Sequence, residues 1–373
     1  MADRNGALTV DARGTTRLSV WPPLPPVVYA RRPNILPFPL AEPSVRLLAL
    51  ARHALWYGLR AVGVGAGDEV LVPAYHHGSE VEVVAQVGAA CRFYGGNDSV
   101  EPVEDELEPL VNPRTRALLL IHYLGFPQRS THWRRWCDDH GLFLIEDAAQ
   151  AWLAAHDGAP VGAAGDVAVF CLYKTFGVPD GAALVSRSPA APAPRRRVRA
   201  VTPVVRRHAA WIRSRVALPV RREESRPAEE PVPAADFALG GVSTSPGPAT
   251  MFLLRRMTAD VAARRRSNYE ALLSRLPGLT AKPFDRVPEG ASPFVFPLET
   301  SRKDAVLRDL RDAGIHAFDF WSFGHPLLDP ADFPSVQRRR RRTIGLPVHQ
   351  ELRPRDIDRI AAVAGEAVGG DAR

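Results

Sequence analysis

The amino-acid sequence predicts an α/β fold, with a large domain built on a mainly parallel sheet and a smaller C-terminal α/β domain. The first observation is a series of short apolar runs bounded by turn residues, among them EVLVPA, RALLLIHYL and LFLIEDAA. The second is that helical patterns such as SEVEVVAQVGA and THWRRWCDDHG separate these runs. Short buried strands that alternate with helices indicate a parallel sheet covered on both faces. The 373 residues suffice for two domains with sizeable cores.

Three segments are expected along the chain. Residues 1–43 are Pro-rich and predict an extended N-terminal arm. Residues 44–250 form the predicted large, ligand-binding domain, which opens with a helix and includes a variable Pro- and Arg-rich segment at 187–236. Residues 251–373 contain a long helix and the small C-terminal domain.

The predicted elements follow one another in a regular order. In the large domain the strands are EVLVPA, CRFYG, RALLLIHYL, LFLIEDAA, DVAVFCLY and AALVS, because each is a short, mostly apolar run with turn residues beside it. After the variable segment, MFLLRRMTADVAARRRSNYEALLSRL predicts one long helix. The C-terminal unit is predicted as strand FVFPL, helix RKDAVLRDLRDAG, strand IHAFDF and helix RPRDIDRIAAVAG.

Composition narrows the classes of partner. The net charge is +7, but only three of the 48 basic residues are lysines, and such an Arg- and Ala-rich composition is typical of a GC-rich genome. We therefore expect no nucleic-acid partner. We interpret the run Arg338 to Arg342 as a solvated helix face, with a phosphate or polyanion patch as the alternative. The apolar runs are too short to span a bilayer, so no membrane partner is expected. Cys91, Cys137 and Cys171 form no CxxC pair, which argues against a zinc site or a disulfide framework and suits a reducing cytoplasm.

Several strands of the large domain end in residues that can do chemistry. Tyr75 to His77 follow EVLVPA, Glu146 and Asp147 follow the apolar run LFLI, and His122 ends RALLLI. In open α/β sheets, ligands bind beyond the carboxyl ends of the strands. For each motif alone a structural role is the more common one: a polar loop for the histidine pair, a helix N-cap for Asp147 and a core position for His122.

Lys174 is a further candidate, because the chain uses lysine so rarely. It lies between the strand DVAVFCLY and the turn GVPDG, and the other lysines are Lys282 and Lys303. Lysine, unlike arginine, can lose its proton when partly desolvated and attack a carbonyl; chance retention is the alternative. A flat side chain, an aspartate and a lysine at one sheet edge are the set that a pyridoxal phosphate enzyme requires.

The sequence resembles the DegT/DnrJ-type sugar aminotransferases, which are fold-type I pyridoxal phosphate enzymes. The matching stretches are LRAVGVGAGDEVLVPAY, VNPRTRALLLIHYLGFP, HGLFLIEDAAQAW, VGAAGDVAVF, VPDGAALV, RRRSNYEALLSRLPGL and GLPVHQEL, which occur in family order over roughly residues 45–365. The resemblance implies a seven-stranded, aspartate-aminotransferase-like large domain. It also implies a homodimer with active sites at the subunit interface.

The resemblance assigns roles to individual residues. It implies that Asp147 pairs with the pyridinium nitrogen and that Gln150 lies near the phenolic oxygen of the cofactor. His77 stands where the family places a ring that stacks on the cofactor, and Lys174 would form the Schiff base. Cys171 stands where the family usually has a serine that helps to bind the phosphate.

Around the phosphate the sequence departs from the family pattern. Leu50 to Arg52 replace a Ser-Gly-Thr stretch whose amides and hydroxyls hold the phosphate at a helix N-terminus. No capping hydroxyl is present there, and Arg52 and His53 are the remaining candidates for a charge and a hydrogen-bond donor.

Two further departures concern the lysine loop and the partner subunit. Cys171 and Lys174 are three residues apart where the family has five, so we expect a shortened loop that still delivers the lysine. The family's partner-subunit asparagine is missing, and Ser243 or Ser245 is the expected substitute. The chain is therefore expected to belong to a divergent subgroup.

The expected activity is the conversion of a keto-sugar or related ketone to an amine, with glutamate or glutamine as amino donor, in amino-sugar or secondary-metabolite biosynthesis. One alternative is another pyridoxal phosphate reaction, such as dehydration or a lyase reaction, since the same electron sink serves these. The known dehydratases of the family carry a histidine at the position of Lys174, which argues against that version. The other alternative is a non-catalytic regulatory homologue, which the altered phosphate region motivates. No metal site is expected.

Overall fold

The computed structural model describes residues 10–98, 100–188, 202–221, 237–240 and 246–370. Most of the variable segment predicted at 187–236, together with Ser243 and Ser245, lies outside these ranges. No helix within them combines the length and the apolar character needed to cross a membrane. In the same ranges, no group of three or more His, Cys, Asp or Glu side chains could hold a metal ion.

The described residues form sixteen strands, several of them only two residues long. In chain order they are β1 (Val10–Thr15), β2 (Leu18–Ser19), β3 (Arg46–Leu48), β4 (Glu69–Pro73), β5 (Ala90–Tyr94), β6 (Thr115–Ile121), β7 (Phe143–Asp147), β8 (Ala155–His156), β9 (Ala159–Pro160), β10 (Val167–Cys171), β11 (Ala182–Ser186), β12 (Leu218–Arg221), β13 (Val295–Glu299), β14 (Ile315–His316), β15 (Phe318–Asp319) and β16 (Thr343–Pro347).

The described α-helices range from a single turn to four turns. In chain order they are α1 (Ala51–Ala61), α2 (Ser79–Gln86), α3 (Glu104–Leu107), α4 (Ser130–Asp139), α5 (Leu172–Thr175), α6 (Thr202–Arg215), α7 (Pro248–Leu254), α8 (Val261–Arg275), α9 (Lys303–Asp312), α10 (Pro334–Arg342) and α11 (Pro354–Gly369).

A seven-stranded sheet forms the centre of the large domain, with the strand order β3-β11-β10-β7-β6-β4-β5. Neighbours from β10 to β5 pair in parallel, whereas β11 runs antiparallel to both β10 and β3. The prediction of a mainly parallel, seven-stranded sheet is therefore confirmed. Because β4, β7 and β10 run in one direction, their carboxyl ends at Pro73, Asp147 and Cys171 lie on the same edge of the sheet.

Helices cover both faces of this sheet because strand side chains alternate between the faces. On one face Val70 and Leu119 are buried in a cluster that includes Leu55 of α1. On the other face Leu71 is buried with Trp133 of α4. Strands covered on both sides contain runs of consecutive apolar residues, which explains why the short runs could be identified in the sequence.

A second, three-stranded antiparallel sheet has the order β13-β16-β15 and packs with α8 and α9, which in turn pack with α11. Strand β13, helices α9 and α11, and the region of β14 and β15 match the elements predicted for the C-terminal unit. The central strand of this sheet, β16, was not predicted.

Two predicted helices differ from the structure. The helix expected from about Ser44 begins only at Ala51, because residues 46–48 pair with β11 as strand β3, where Leu48 is fully buried. The single long helix expected from about Met251 is divided into α7 and α8. Residues 255–260, which lie between the two helices, form a connection with two turns, and α8 begins after Asp260.

The N-terminal residues make contacts along much of the chain. Strand β1 pairs with β12, and β2 pairs with β14 beside the second sheet. A 3-10 helix, Pro26–Ala30, follows. The boundaries proposed at residues 43 and 250 remain predictions.

The run Arg338 to Arg342 in α10 is only partly the solvated face that we expected. Three of its members are exposed, but Arg340 is fully buried. The guanidinium of Arg340 donates hydrogen bonds to four backbone carbonyls, two of which are those of Ala74 and His76 after β4. This arginine therefore joins α10 to the loop that follows β4.

Candidate active site

A cavity of about 190 Å³ opens where β4, β7 and β10 end. Its walls come from the loops after these strands, the first turn of α1 and the region around β15. Six of the seven site residues predicted from the sequence line it, namely Arg52, His77, Asp147, Gln150, Cys171 and Lys174. The fold therefore gathers them at the sheet edge where α/β proteins bind ligands.

Asp147 is the last residue of β7, and its side chain is almost completely buried. Its Oδ1 accepts a hydrogen bond from the N–H of Ala149 at 2.8 Å. Burial, followed by the negative charge of Glu80, raises the pKa of Asp147 to about 6, while Lys174 acts in the opposite direction. Turns rather than a helix follow Asp147, so the helix N-cap alternative does not apply. A buried carboxylate in this state calls for a cationic partner.

Glu146 precedes Asp147 on β7 and points to the other face of the sheet, where it is structural. Its carboxylate accepts hydrogen bonds from Nε2 of His122 at 3.0 Å and from Oγ of Ser130 at 2.6 Å. Burial acts to raise the pKa of Glu146, but these and further hydrogen bonds outweigh it and lower the pKa. Nδ1 of His122 accepts the N–H of Gln128 at 3.0 Å, so its ring proton is on Nε2. The core role of His122 is the one that the structure supports.

Lys174 lies in the single turn of α5, which follows β10 directly. Three residues make almost one helical turn, so this turn presents both Cys171 and Lys174 to the cavity. Nζ of Lys174 lies 5.6 Å from the ring centroid of Phe294. The loop is short, as expected, and it still brings the lysine to the wall that contains Asp147.

Arg265 of α8 holds the lysine loop in place. It is fully buried, and Nη2 donates to the carbonyls of Lys174 at 3.0 Å and Thr175 at 2.9 Å. Nη1 donates to the carbonyl of Pro293, and Nε donates to Oε1 of Gln350, each at 3.0 Å. Burial lowers the pKa of Arg265 to about 9. Nothing in the sequence RRRSNYE distinguished this arginine from its neighbours.

Of the three residues Tyr75 to His77 that follow β4, only His77 lines the cavity as the structure describes it. Its ring stands nearly perpendicular to that of Phe237, with 5.7 Å between centroids. His76 is fully buried and stacks on Phe93, with 5.8 Å between centroids. The side chains of His76 and His77 therefore lie in different surroundings, and only that of His77 can contact a ligand in the cavity.

Gln150 and Cys171 occupy buried positions in the cavity wall. Oε1 of Gln150 accepts the N–H of Leu124 at 2.9 Å, which leaves its NH₂ group as the donor. Burial raises the pKa of Cys171, with Lys174 acting in the opposite direction. The thiol is therefore a neutral group at physiological pH.

The first turn of α1 forms one end of the cavity. Leu50 is its N-cap and has no side-chain cap, as the sequence indicated. Nη1 of Arg52 donates to the carbonyl of Ala238 at 2.7 Å. His53 is buried away from the cavity, with Nε2 2.9 Å from the carbonyl oxygen of Leu239. It is the one predicted site residue that the structure does not bring to the cavity, because successive helical side chains differ by about 100° in direction.

Glu80 lines the cavity and was not predicted. It lies in the first turn of α2, and its Oε2 accepts the N–H of Gly78 at 3.1 Å. Its charge contributes to the raised pKa of Asp147. In SEVEVV an acidic residue at this position is typical of any helix N-terminus, so the sequence contained no signal for the site.

A second wall of the cavity is aromatic. It is formed by side chains from the N-terminal arm and the C-terminal unit: Trp21, Phe294, Phe318, Phe320 and Trp321. The ring centroid of Trp21 lies 5.7 Å from that of Phe294, and Phe320 stacks on Trp321 at 4.5 Å. These residues are far apart in the sequence, which is why their common wall could not be predicted.

Comparison with known proteins identifies one family and several relatives. The profile of the DegT/DnrJ/EryC1/StrS aminotransferase family matches residues 48–364. A dTDP-3-amino-3,4,6-trideoxy-alpha-D-glucose transaminase of Streptomyces venezuelae is 40% identical over 146 residues, which cover 36% of this chain and only 37% of that enzyme. The erythromycin biosynthesis sensory transduction protein EryC1 of Saccharopolyspora erythraea is 28% identical over 326 residues, 83% of this chain and 81% of that protein.

Solved structures show the same fold. The aminotransferase TlmJ of Streptoalloteichus hindustanus superposes with a TM-score of 0.66 at 23% identity, over 88% of this chain and 87% of that one. DesV of S. venezuelae gives a TM-score of 0.64 at 24% identity, over 86% of this chain and 84% of that one. Since the family match spans nearly all of the chain from β3 to α11, the protein belongs to the DegT/DnrJ/EryC1/StrS aminotransferase family.

Proposed function

We propose that the protein is a pyridoxal phosphate-dependent aminotransferase that converts a keto-sugar or a related ketone to an amine. One observation carries the proposal: Asp147 and Lys174, an acid and an amine from separate elements, line the same buried cavity. Membership of an aminotransferase family supports it.

The residues present suit pyridoxal phosphate. Burial and Glu80 keep the pKa of Asp147 high, and a protonated ring nitrogen is the cationic partner that this carboxyl group calls for. The flat ring of His77 and the NH₂ group of Gln150 would contact the cofactor. Nζ of Lys174 would hold it covalently.

When bound, pyridoxal phosphate supplies an electron sink for the electron pair of the C–H bond that breaks beside the nitrogen. The chain supplies the remaining functions. Asp147 would keep the ring nitrogen protonated, and Nζ of Lys174 would move the proton. The contacts from Arg265 to the carbonyls of Lys174 and Thr175 would fix the backbone from which Nζ reaches the cofactor.

The proposed substrate class and donor rest on the relatives. The name of the S. venezuelae relative denotes the transamination of a dTDP-linked deoxysugar. A keto-sugar of this general kind, with glutamate or glutamine as donor, is therefore the proposed reaction, in amino-sugar or secondary-metabolite biosynthesis. The aromatic wall suits the apolar face of such a ring.

We also propose a homodimer with its active sites at the subunit interface, working in the cytoplasm. The homodimer and its interface active sites follow from the family resemblance. The cytoplasmic location follows from the three separated cysteines.

The test is the donor half of the reaction, which needs no knowledge of the ketone. Purified protein is loaded with pyridoxal phosphate, mixed with glutamate or glutamine, and the released 2-oxo acid is measured. We expect the amount of 2-oxo acid to equal the amount of bound cofactor. Lys174→Ala should release none, whereas Lys282→Ala, which changes an exposed lysine, should behave as the wild type.

The alternatives give different results. A protein that binds no pyridoxal phosphate would favour the regulatory homologue and contradict the proposal. Cofactor binding with a new product but no amino transfer from either donor would favour a dehydratase or lyase.

A further inference from the structure

Tyr173 lines one end of the cavity, and the positive charges of two arginines act on its hydroxyl group. Arg52, in the first turn of α1, lines the cavity together with Tyr173 and Cys171. Arg207, in α6, lies within electrostatic reach of the same two side chains. The Cys171 thiol and burial raise the pKa of Tyr173, while Arg52 and Arg207 act to lower it. Positive charge is therefore concentrated at this end of the cavity.

The packing of α6 fixes the position of Arg207. The carbonyl of Arg207 accepts the N–H of Leu24 at 3.3 Å, and Nδ1 of His208 lies 2.8 Å from the carbonyl oxygen of Leu24. Val204, almost one turn earlier in α6, is buried in a cluster with Leu24 and Leu172. Because Leu172 directly precedes Tyr173, this cluster fixes α6 relative to the turn that contains that tyrosine.

Arg207 has no carboxylate partner among the residues that the structure describes. Arg207 is half-buried, and burial lowers its pKa because the cation loses part of its hydration. An anion beside such a partly desolvated guanidinium would be favourable. The N-terminus of the eleven-residue helix α1 at the same place also favours an anion.

We propose, on the basis of the proposed function, that Arg52 and Arg207, with the Tyr173 hydroxyl, bind the phosphate group of pyridoxal phosphate. A phosphate monoester carries up to two negative charges, and guanidinium groups recognise its oxygens through paired N–H donors. The two arginines replace the hydroxyl groups that are missing at Leu50 to Arg52 and at Cys171. The cofactor site thereby includes α6, a helix within the segment that we expected to be variable.

The experiment compares pyridoxal phosphate with pyridoxal, which differ only in the phosphate group. Each is titrated into cofactor-free protein, and binding is followed by visible absorbance. The wild type should bind pyridoxal phosphate at least about 100-fold more tightly than pyridoxal. Arg207→Gln and Arg52→Gln should each weaken pyridoxal phosphate binding by about 10- to 100-fold, because charge-assisted hydrogen bonds are lost. Pyridoxal binding should change by less than about twofold, which also shows that the variants are folded.

Two control variants sharpen the comparison. Arg206→Gln alters an exposed arginine next to Arg207 on α6 and should leave both affinities unchanged. Arg207→Lys keeps the charge and should recover part of the preference for pyridoxal phosphate.

The inference is wrong if Arg207→Gln leaves the ratio of the two affinities unchanged, or lowers both affinities equally. It is also wrong if the wild type binds both ligands equally well, a result that would leave the proposed function standing. A wild-type protein that binds neither ligand would contradict the proposed function and the inference together.

Discussion

Replacing Asp147 with asparagine should stabilise the cofactor-free protein at neutral pH and weaken its binding of pyridoxal phosphate. The carboxyl group is buried beside Glu80, and in the described residues the N–H of Ala149 is its one hydrogen-bond donor. Its charge is therefore unfavourable until a cationic ring nitrogen arrives. Asparagine has a similar shape and no charge.

The magnitude follows from the raised pKa. The unfolded chain loses the Asp147 proton near pH 3.8 and the folded chain loses it near pH 6. Between these values the unfolded state binds fewer protons, so the stability of the folded wild type falls as the pH rises. The total loss is about 3 kcal/mol, complete above about pH 7. Asp147→Asn should therefore gain up to about 3 kcal/mol over the wild type at neutral pH and nothing near pH 4.

Urea unfolding of the cofactor-free wild type and variant, from about pH 4 to about pH 8, measures this difference. Asp309→Asn, which changes an exposed carboxyl group on α9, is the matched control and should follow the wild type at every pH. If the free energies of unfolding of the wild type and Asp147→Asn differ by the same amount at every pH, the reasoning is refuted. A variant that binds pyridoxal phosphate as tightly as the wild type would also refute it.

Three further predictions concern buried groups around the site. Arg340→Leu leaves four carbonyls without their donor and should reduce the free energy of unfolding by about 3–5 kcal/mol, measured with urea. Arg341→Leu, which changes the exposed neighbour, is the control and should change the free energy of unfolding by less than about 0.5 kcal/mol. Glu146→Gln should cost about 2–3 kcal/mol at pH 7. Because the pKa of Glu146 is lowered, this stability is lost as the pH falls below its ordinary value of 4.5, so the cost should shrink there. Arg265→Lys loses the hydrogen bonds from Nη2 to the carbonyls of Lys174 and Thr175 and should lower kcat about 10-fold with little change in donor KM.

Each of these has a contradicting result. Equal effects of Arg340→Leu and Arg341→Leu would show that the buried hydrogen bonds do not stabilise the fold. If Glu146→Gln lowers the free energy of unfolding by the same amount at every pH, the charge of the Glu146 carboxylate does not contribute to stability. A rise in donor KM alone after Arg265→Lys would place that arginine in donor binding instead of in the support of the lysine loop.

Much of the central sheet could be predicted because its strands are buried on both faces. Thr115–Ile121 ends in the apolar run ALLLI and Phe143–Asp147 begins with the apolar run FLI, so their sequences alone distinguish them. Strand Arg46–Leu48 could not be identified in this way. Its pairing with β11, far along the chain, overrides a local helical pattern.

The same contrast holds for the candidate site. Asp147 and Lys174 could be identified because acidic residues at the end of an apolar run, and a lysine in an Arg-rich chain, are rare. Arg207 and Arg265 could not, because their surroundings are set by tertiary contacts and the chain is full of arginines. Trp21 reaches the cavity only because the N-terminal arm packs beside the C-terminal unit.

The attachment point of the cofactor tests the central claim most directly. Protein loaded with pyridoxal phosphate is reduced with borohydride, digested, and its peptides are weighed. The account predicts one pyridoxyl group, at Lys174, and none at Lys282 or Lys303. A pyridoxyl group at another lysine, or none anywhere in a folded protein, would contradict it.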